Sequence, residues 1–409
     1  RFGTDARARR ILPEVVRGIA DYGNCVGVPV IGGDLYFDST YNHNCLVNVA
    51  AFGLVRQNKI IYGNAFTPGN DLIYVGARTG RDGIGGAQMA SISLDVRDES
   101  AVQEADPFLE KLLLEACCEL ADTKWIEGMQ DMGAAGILCS TSEVVLRGRK
   151  KTKKNLGARV YLNRVPTKAK RMSPAEMLLS ESQERMLIVG HRKYRKEILH
   201  VFKRWDLEAR VIGTVTNDGK YTIVYNAPQK KNTVLPMEFS EIFPDVREDW
   251  DSKLWQSQDT KHKKAPRRIT REIWRQYDWM VGVRTLKGPN RPGRYAIVDV
   301  PEIGKEIVIA WSSDEGLSDL NAAHGIEHAF DTCRHRLHSL GATPLGATNC
   351  LNFGHPKDSM GIFSETIRVL TARCKKFEIP IVGGNVSLYN AHGSHSIKPT
   401  PVLIMVGVR

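Results

Sequence analysis

The chain has 409 residues, 42% hydrophobic and 25% charged, a soluble globular profile with material for two or three domains. No apolar run approaches the roughly 18 residues of a membrane span, and residues 1–5 hold no signal-peptide core, so neither a membrane partner nor a secreted product is expected. The net charge of +11 suits phosphate-bearing ligands as well as nucleic acid. It is concentrated in two clusters, Arg147 to Lys154 and Lys261 to Arg268. Neither has the interleaved aromatics of a single-strand platform, so both read as solvated loops, with a functional anionic contact as the lesser alternative, and no nucleic-acid partner is expected. The eight cysteines form no C-x-x-C pair and several lie in apolar patterns, which reads as reduced thiols of a cytosolic protein.

In chain order, residues 10–22 read as an amphipathic helix, followed by strands at 27–32 and 45–55. A short apolar strand at 71–75 enters a glycine-rich loop. Helices follow at 107–122, with Pro107 in the first turn, and at 137–147. A further helix over 173–185 opens with Ser173 as cap and Pro174 in its first turn. Residues 187–189 and 221–224 read as strands, and the charged stretch 246–275, with Trp250, Trp255 and Trp274, as a helical linker. Strands at 295–300 and 306–311 precede helices at 319–339 and 361–376. The mixture is that of an α+β or α/β protein.

An internal repeat orders these elements. Residues 28–38 (VPVIGGDLYFD) and 379–389 (IPIVGGNVSLY) share a β-branched run, two glycines and a short polar side chain, at an offset of 351 residues. The same offset lays Arg1-Phe2-Gly3 on Asn352-Phe353-Gly354 and Arg17 on Arg368. Residues 276–351 precede Asn352 in the second copy, and their counterparts would lie ahead of Arg1. The expectation is a chain cut at both ends. Residues 1–56 would be the tail of a first N-type domain and 57–245 a C-type α/β domain. Residues 246–275 would be a linker and 276–409 a second N-type domain.

Four loops carry chemistry. Residues 76–87 (GARTGRDGIGGA) have glycines that let backbone N–H groups approach an oxyanion, and Arg78 and Arg81 to add charge, or else form a structural turn. Asp131, before the turn Gly133 to Gly136, suits Mg²⁺ or a helix N-cap equally. Ser180 to Arg185 packs polar residues at a helix-to-strand junction, where capping also places them. Gly383-Gly384-Asn385-Val386-Ser387 can bring backbone close to a nucleotide or be a turn used twice, as Gly32-Gly33-Asp34 is in the first copy. His324 and His328 lack any supporting ligand pattern and read as ordinary histidines.

Taken together, TGRDGIGGA (79–87), ADPFLEKLLLEAC (105–117), QDMGAAG (130–136), MLLSESQERML (177–187), CLNFGHP (350–356) and PIVGGNVSLYN (380–390) resemble the small bacterial or archaeal phosphoribosylformylglycinamidine synthases, in their ATP-dependent synthetase subunit. The resemblance spans essentially the whole chain. It implies an α+β fold of two aminoimidazole ribonucleotide synthetase-like units, each a ferredoxin-like N-domain plus an α/β C-domain. It implies conversion of formylglycinamide ribonucleotide to its amidine with ATP, Mg²⁺ and glutamine-derived ammonia, through an iminophosphate, in the cytoplasm. The expected partners are a glutaminase subunit and a small bridging subunit. The resemblance assigns substrate contacts to Gln103, Glu181, Ser182, Gln183 and Ser387, ATP contacts to Asn349 and Gly384, and Mg²⁺ ligands to Asp131 and Asn385. The family's catalytic histidine falls ahead of Arg1, so no catalytic residue is assigned. Two positions depart from the pattern: Asn349 where the family has Asp, and residues 311–316 (WSSDEG) in place of a stretch like Asn-Pro-Arg-Tyr. Asn349 motivates the alternative of a catalytically degenerate nucleotide-binding subunit or scaffold. A single-copy aminoimidazole ribonucleotide synthetase-like enzyme is disfavoured by the repeat.

Overall fold

The computed structural model describes residues 1–84, 103–227, 230–243, 255–258, 263–393 and 395–409. They fold as two units: one from the described residues of 1–52 and 249–409, the other from those of 53–89 and 98–248. The architecture is α+β.

The chain opens with the helix Ala6–Val26. Asp5 accepts from the Ala8 amide at its start, and Gly27, at φ 78°, ends it in the left-handed region. These caps extend it beyond the expected 10–22. Strand β1 (Tyr36–Phe37) follows.

The second unit is a seven-stranded sheet. Its strands are β2 (Asp71–Gly76), β3 (Ile126–Asp131), β4 (Gly157–Tyr161), β5 (Arg185–Gly190), β6 (Ala209–Thr216), β7 (Tyr221–Ala227) and β8 (Lys230–Met237), in the order β3-β5-β2-β6-β4-β7-β8. Only β4 and β7 pair in parallel. Every residue of central β2 is buried, because both faces of the sheet are covered. Leu72 and Tyr74 pack with Val144, Val145 and Leu156 on one side. Ile73 and Val75 pack with Leu113, Leu120 and Phe202 on the other. The helix Pro107–Ala121 carries Leu113 and Leu120, and Asp106 caps it by accepting from the Leu109 amide. The helix Gly136–Thr152 runs past the expected 147. Arg149, Lys150 and Lys151 occupy its last turn, where cations favour the exposed carbonyls. Arg149 also donates to the Gly219 carbonyl, so part of the first basic cluster is tied into the fold.

One expected helix shrinks. Ser173 and Glu176 form a reciprocal capping box, but the helix is only Pro174–Leu179. Residues 180–184 are a turn, with Glu184 in the left-handed region (φ 55°), because Arg185 already pairs with Gly76 in the sheet.

The first unit resumes with β9 (Lys263–Lys264), which pairs with β1. The helix Arg267–Trp274 then starts after Pro266. The linker is therefore not one helix: residues 255–258 and 263–266 are non-helical, and proline bars extension backwards. Trp250 lies outside the described residues. The main sheet consists of β10 (Thr285–Lys287), β11 (Tyr295–Val300), β12 (Lys305–Ser312), β13 (Thr343–Asn352), β14 (Ile381–Ser387) and β17 (Thr400–Val408), with a small hairpin β15 (Ala391–His392) and β16 (His395–Ser396). Its order is β10-β11-β12-β17-β13-β14, and only the edge pair β13–β14 is parallel. The helices Ala322–Ser339 and Pro356–Phe377 supply Phe330, Leu337 and Leu370 to a core with Val308, Leu403 and Met405.

The strands expected at 27–32 and 45–55 do not form. Their counterparts in the second copy, β14 and β17, are hydrogen-bonded to β13, and β17 also to β12. Among the described residues only the reciprocal backbone pair of Arg1 and Leu46 (2.6 and 2.9 Å) plays that part for 45–55, and Val49, Leu54 and Val55 are exposed. A strand is defined by its ladder, and β-branched sequence alone does not supply one. No helix among the described residues is long and apolar enough to cross a membrane.

Candidate functional site

In the second unit the polar turn 180–184 is enclosed by three glycine corners. Gly76 (φ 110°) abuts the Glu184 carbonyl, Gly83 (φ 72°) abuts Glu181, and Gly136 (φ 48°) abuts the Ser180 carbonyl. Each left-handed φ permits a backbone approach that a Cβ would block. The amide of Ala77 donates to the Glu184 carbonyl (2.9 Å), and that of Met132 to the Arg185 carbonyl (3.1 Å).

At the centre lies the buried guanidinium of Arg185. It donates to the carbonyls of Ser182 (2.6 Å), Ser180 (2.6 Å) and Met132 (3.3 Å) and to Thr79 Oγ1 (2.9 Å). These contacts fix the turn, the end of the glycine loop and the exit of β3 on one group. Burial lowers the pKa of Arg185 below its ordinary value, and Tyr74, Asp82 and Glu181 oppose the shift.

Around this hub stand five of the residues singled out in the sequence. Glu181 is buried; its Oε1 accepts from the Ala135 amide (3.0 Å) and its Oε2 from Gln103 Nε2 (3.4 Å). Gln183 Nε2 donates to the Glu181 carbonyl (2.9 Å). Ser182 Oγ donates to Asp82 (2.8 Å) and accepts from the Gly80 amide (3.0 Å), so its hydroxyl braces the glycine loop. Asp131 ends β3 with an exposed carboxylate whose Oδ1 accepts from the Gly133 amide (3.0 Å). It is not the N-cap of the next helix, a position held by left-handed Ala135. Arg78 and Arg81 do not line this turn with free charge: Arg78 pairs with Glu208 (2.8 Å) and Arg81 with Glu176 (2.7 Å).

Asp82 also pairs with Lys168 (3.0 Å), which reaches Glu104 (2.6 Å). Burial pushes the Asp82 carboxyl up, but the Ser182 and Lys168 hydrogen bonds outweigh it and hold the pKa below its ordinary value. The stabilisation from a depressed carboxyl is complete above its unfolded pKa and is lost as pH falls through the folded one. Urea unfolding of Asp82→Asn should therefore differ from the parent at pH 7 and converge on it as pH drops below about 4. A gap unchanged down to pH 2 would refute this placement.

In the first unit, the sheet register sets Asn349 opposite Gly384, Cys350 opposite Asn385 and Asn352 opposite Ser387. Gly384, at φ 152°, lies directly over the Asn349 side chain and carbonyl, leaving no room for a Cβ. Asn385 is exposed on the edge strand. Ser387 accepts from Asn390 Nδ2 at both its carbonyl (3.0 Å) and hydroxyl (2.9 Å). The first-copy turn differs. Asp34, the counterpart of Asn385, is clamped between Arg1 (2.6 Å) and Arg294 (3.4 Å), and Arg1 also binds Glu315 and Ser313. Trp311 covers Gly32. The WSSDEG stretch thus closes the first turn, while the second stays open.

His324 is exposed on its helix, and His328 stands 3.5 Å from Asp314. Among the described residues no group of three His, Cys, Asp or Glu side chains is placed to hold a metal by itself. Sequence reasoning missed Arg185, Asp82 and Lys168 as organisers. The signal for Arg185 was an arginine opening an otherwise apolar strand, where a cation stays only if its donors are matched.

Comparison with known proteins bears on both units. The family model for the AIR synthase related protein, C-terminal domain, matches residues 67–226. That for the AIR synthase related protein, N-terminal domain, matches residues 1–55 and again 332–409, the two copies of the repeat. The chain is 40% identical to the phosphoribosylformylglycinamidine synthase subunit PurL of Carboxydothermus hydrogenoformans, over 100% of this chain and 58% of that one. It is 38% identical to the PurL of Campylobacter curvus, over 98% of this chain and 57% of that one. The structure of Thermotoga maritima PurL complexed with FGAR superposes with a TM-score of 0.84 at 34% identity, covering 96% of this chain and 64% of that one. The chain thus spans somewhat over half the length of the curated relatives it matches.

Proposed function

This chain belongs to the AIR synthase related family, with the duplicated fold of PurL, and we propose that it is part of a cytoplasmic phosphoribosylformylglycinamidine synthase. The reaction is the ATP-dependent conversion of formylglycinamide ribonucleotide to formylglycinamidine ribonucleotide. The observation that carries this reading is the closure of three glycine corners on the turn 180–184, in a chain that aligns with PurL from end to end. In this reading the chain divides at 1–56, 57–245, 246–275 and 276–409.

The chemistry follows from a poor leaving group. The substrate's amide oxygen attacks the γ-phosphorus of ATP and releases ADP, giving an iminophosphate. Glutamine-derived ammonia adds to that carbon, and the C–O bond breaks to release phosphate. Gln103, Glu181, Ser182 and Gln183 orient the substrate, and Ser387 contacts it from the second copy. Glu181 is suited to this because the Ala135 amide and Gln103 hold its two oxygens apart and fixed. Asn349 and Gly384 contact ATP, and the close backbone approach at Gly384 suits a phosphate or ribose.

Asp131 and Asn385 fit Mg²⁺ in donor type: both offer hard oxygen, and Asp131 is exposed with one oxygen oriented by Gly133. The carboxylate of Asp131 and the amide oxygen of Asn385 agree with a cation that takes one or two carboxylates and completes its shell with nucleotide phosphates. When bound, Mg²⁺ would neutralise charge on the transferring phosphoryl group. A glutaminase subunit and a small bridging subunit are the proposed partners. The solved structure of PurLQS from Thermotoga maritima, 32% identical to this chain, supports that choice.

The test uses the full-length protein with Mg-ATP and a coupled ADP assay. ADP release should require both formylglycinamide ribonucleotide and ammonium; equal release without either would end the proposal. Asn349→Asp distinguishes an active from a degenerate nucleotide site. A carboxylate there should tighten ATP by about 1 kcal/mol with Mg²⁺ present and weaken it without, because charge repels bare phosphate. Calorimetric titration reads both arms. Tight ATP binding in either variant with no turnover under any ammonia supply would favour a scaffold role.

A further inference from the structure

Arg78 belongs to the glycine loop but lines a different hollow in the second unit, of about 510 Å³. Three guanidinium groups bound it, those of Arg78, Arg164 and Arg210, against the single carboxylate of Glu208. Glu208 holds Arg78 at 2.8 Å and Arg210 at 3.3 Å, one on each oxygen. Arg164 has no carboxylate partner among the described residues and lies over the Tyr161 ring at 4.0 Å. The hollow therefore keeps a net positive charge, with its arginines already positioned. Pro166 and Val211 give it an apolar wall. It is tied to the loop, because the Thr79 amide donates to the Pro166 carbonyl (2.9 Å).

We propose that this hollow binds a small phosphorylated anion carrying a flat aromatic ring, of the nucleoside monophosphate class. Guanidinium forks match phosphate oxygens two at a time, and three lining one hollow that holds a single carboxylate attract an anion. The volume lies within the range of small-molecule sites and exceeds what a bare phosphate needs. The wall of Pro166 and Val211 offers a surface for a ring, and the Arg164 guanidinium, ordered on Tyr161, can stack on it. The proposal does not depend on the amidine-forming reaction, since Arg164 and Arg210 have no place in it.

Calorimetric titration of the full-length protein with AMP, and separately with inorganic phosphate, tests it. AMP should bind saturably, more tightly than phosphate and more weakly as salt rises. The R164A/R210A double variant should lose about tenfold or more in AMP affinity, because each arginine contributes charge-assisted hydrogen bonds. Both side chains are exposed, so its unfolding temperature should match the parent's. Should the double variant not fold, the single variants Arg164→Gln and Arg210→Gln must each weaken AMP. Absence of saturable AMP binding, unchanged affinity in the variants, or equal affinity for phosphate and AMP would overturn the proposal. AMP bound elsewhere on the protein would show as unchanged affinity.

Discussion

Replacing Gly136 by alanine is expected to destabilise the second unit by about 2–4 kcal/mol and to abolish turnover in the full-length protein. Gly136 is the first residue of its helix and has φ 48°, a conformation that costs an L-residue about 1–2 kcal/mol. A Cβ there would fall well inside contact distance of the Ser180 carbonyl oxygen and against Arg185 Nη2. The obstacle is backbone that the Arg185 guanidinium already holds, so it cannot swing aside as a flexible side chain would. Displacing it also breaks the Ala135 to Glu181 hydrogen bond, because Ala135 is the preceding residue. Gly18 supplies the contrast. It is exposed in the helix Ala6–Val26 with nothing within 4 Å of where a methyl group would sit, and alanine there should stabilise by about 0.5–1 kcal/mol. Urea midpoints at unchanged slope read both changes. If Gly136→Ala unfolds at the parent's midpoint, the corner is not what holds the turn.

The same corner shows what the sequence could reveal. Helices with strong ends were legible, because caps are local: Asp106 with Pro107, and Ser173 with Pro174, marked their starts. The end of the second was not. Ser180 to Arg185 has the composition of a continuing helix, and only the pairing of Arg185 with Gly76, more than a hundred residues away, turns it into a junction. Strands suffered in both directions. Residues 45–55 alternate like a strand but have no ladder, while β3, whose Glu127, Gln130 and Asp131 give no apolar pattern, forms on the edge beside β5. The motif residues Gln103, Asp131, Glu181, Ser182 and Gln183 could be picked out individually. That they surround one guanidinium was not legible, since burial of an arginine depends on acceptors contributed by three separate segments.

The repeat was legible as sequence, yet its two turns have diverged physically. At Asp34 a carboxylate meets Arg1 and Arg294, so its charge is neutralised within the protein. At Asn385 a neutral amide sits exposed on an edge strand, beside a glycine whose φ of 152° excludes a side chain. The first turn is suited to holding the unit together and the second to meeting a ligand. Neither role follows from the Gly-Gly pattern that both share.

Arg185→Met is expected to cost about 3–5 kcal/mol, the scale for removing one partner of a buried charged network. Methionine preserves apolar bulk but supplies no donor, leaving the Ser180, Ser182 and Met132 carbonyls and Thr79 Oγ1 without their shared partner. Arg185→Lys should recover little. A compact ammonium has three donors on one atom and cannot span acceptors that the planar fork reaches from both sides. The two variants separate folding from function. If Arg185 only stabilises the unit, Arg185→Lys at low temperature, where it remains folded, should keep the parent's KM for formylglycinamide ribonucleotide. If it positions Glu181 and Gln183, KM should rise in the folded variant, because the turn that carries both loses the group that fixes its carbonyls. A folded Arg185→Lys protein with unaltered KM and kcat would remove Arg185 from the site and leave it a structural cation.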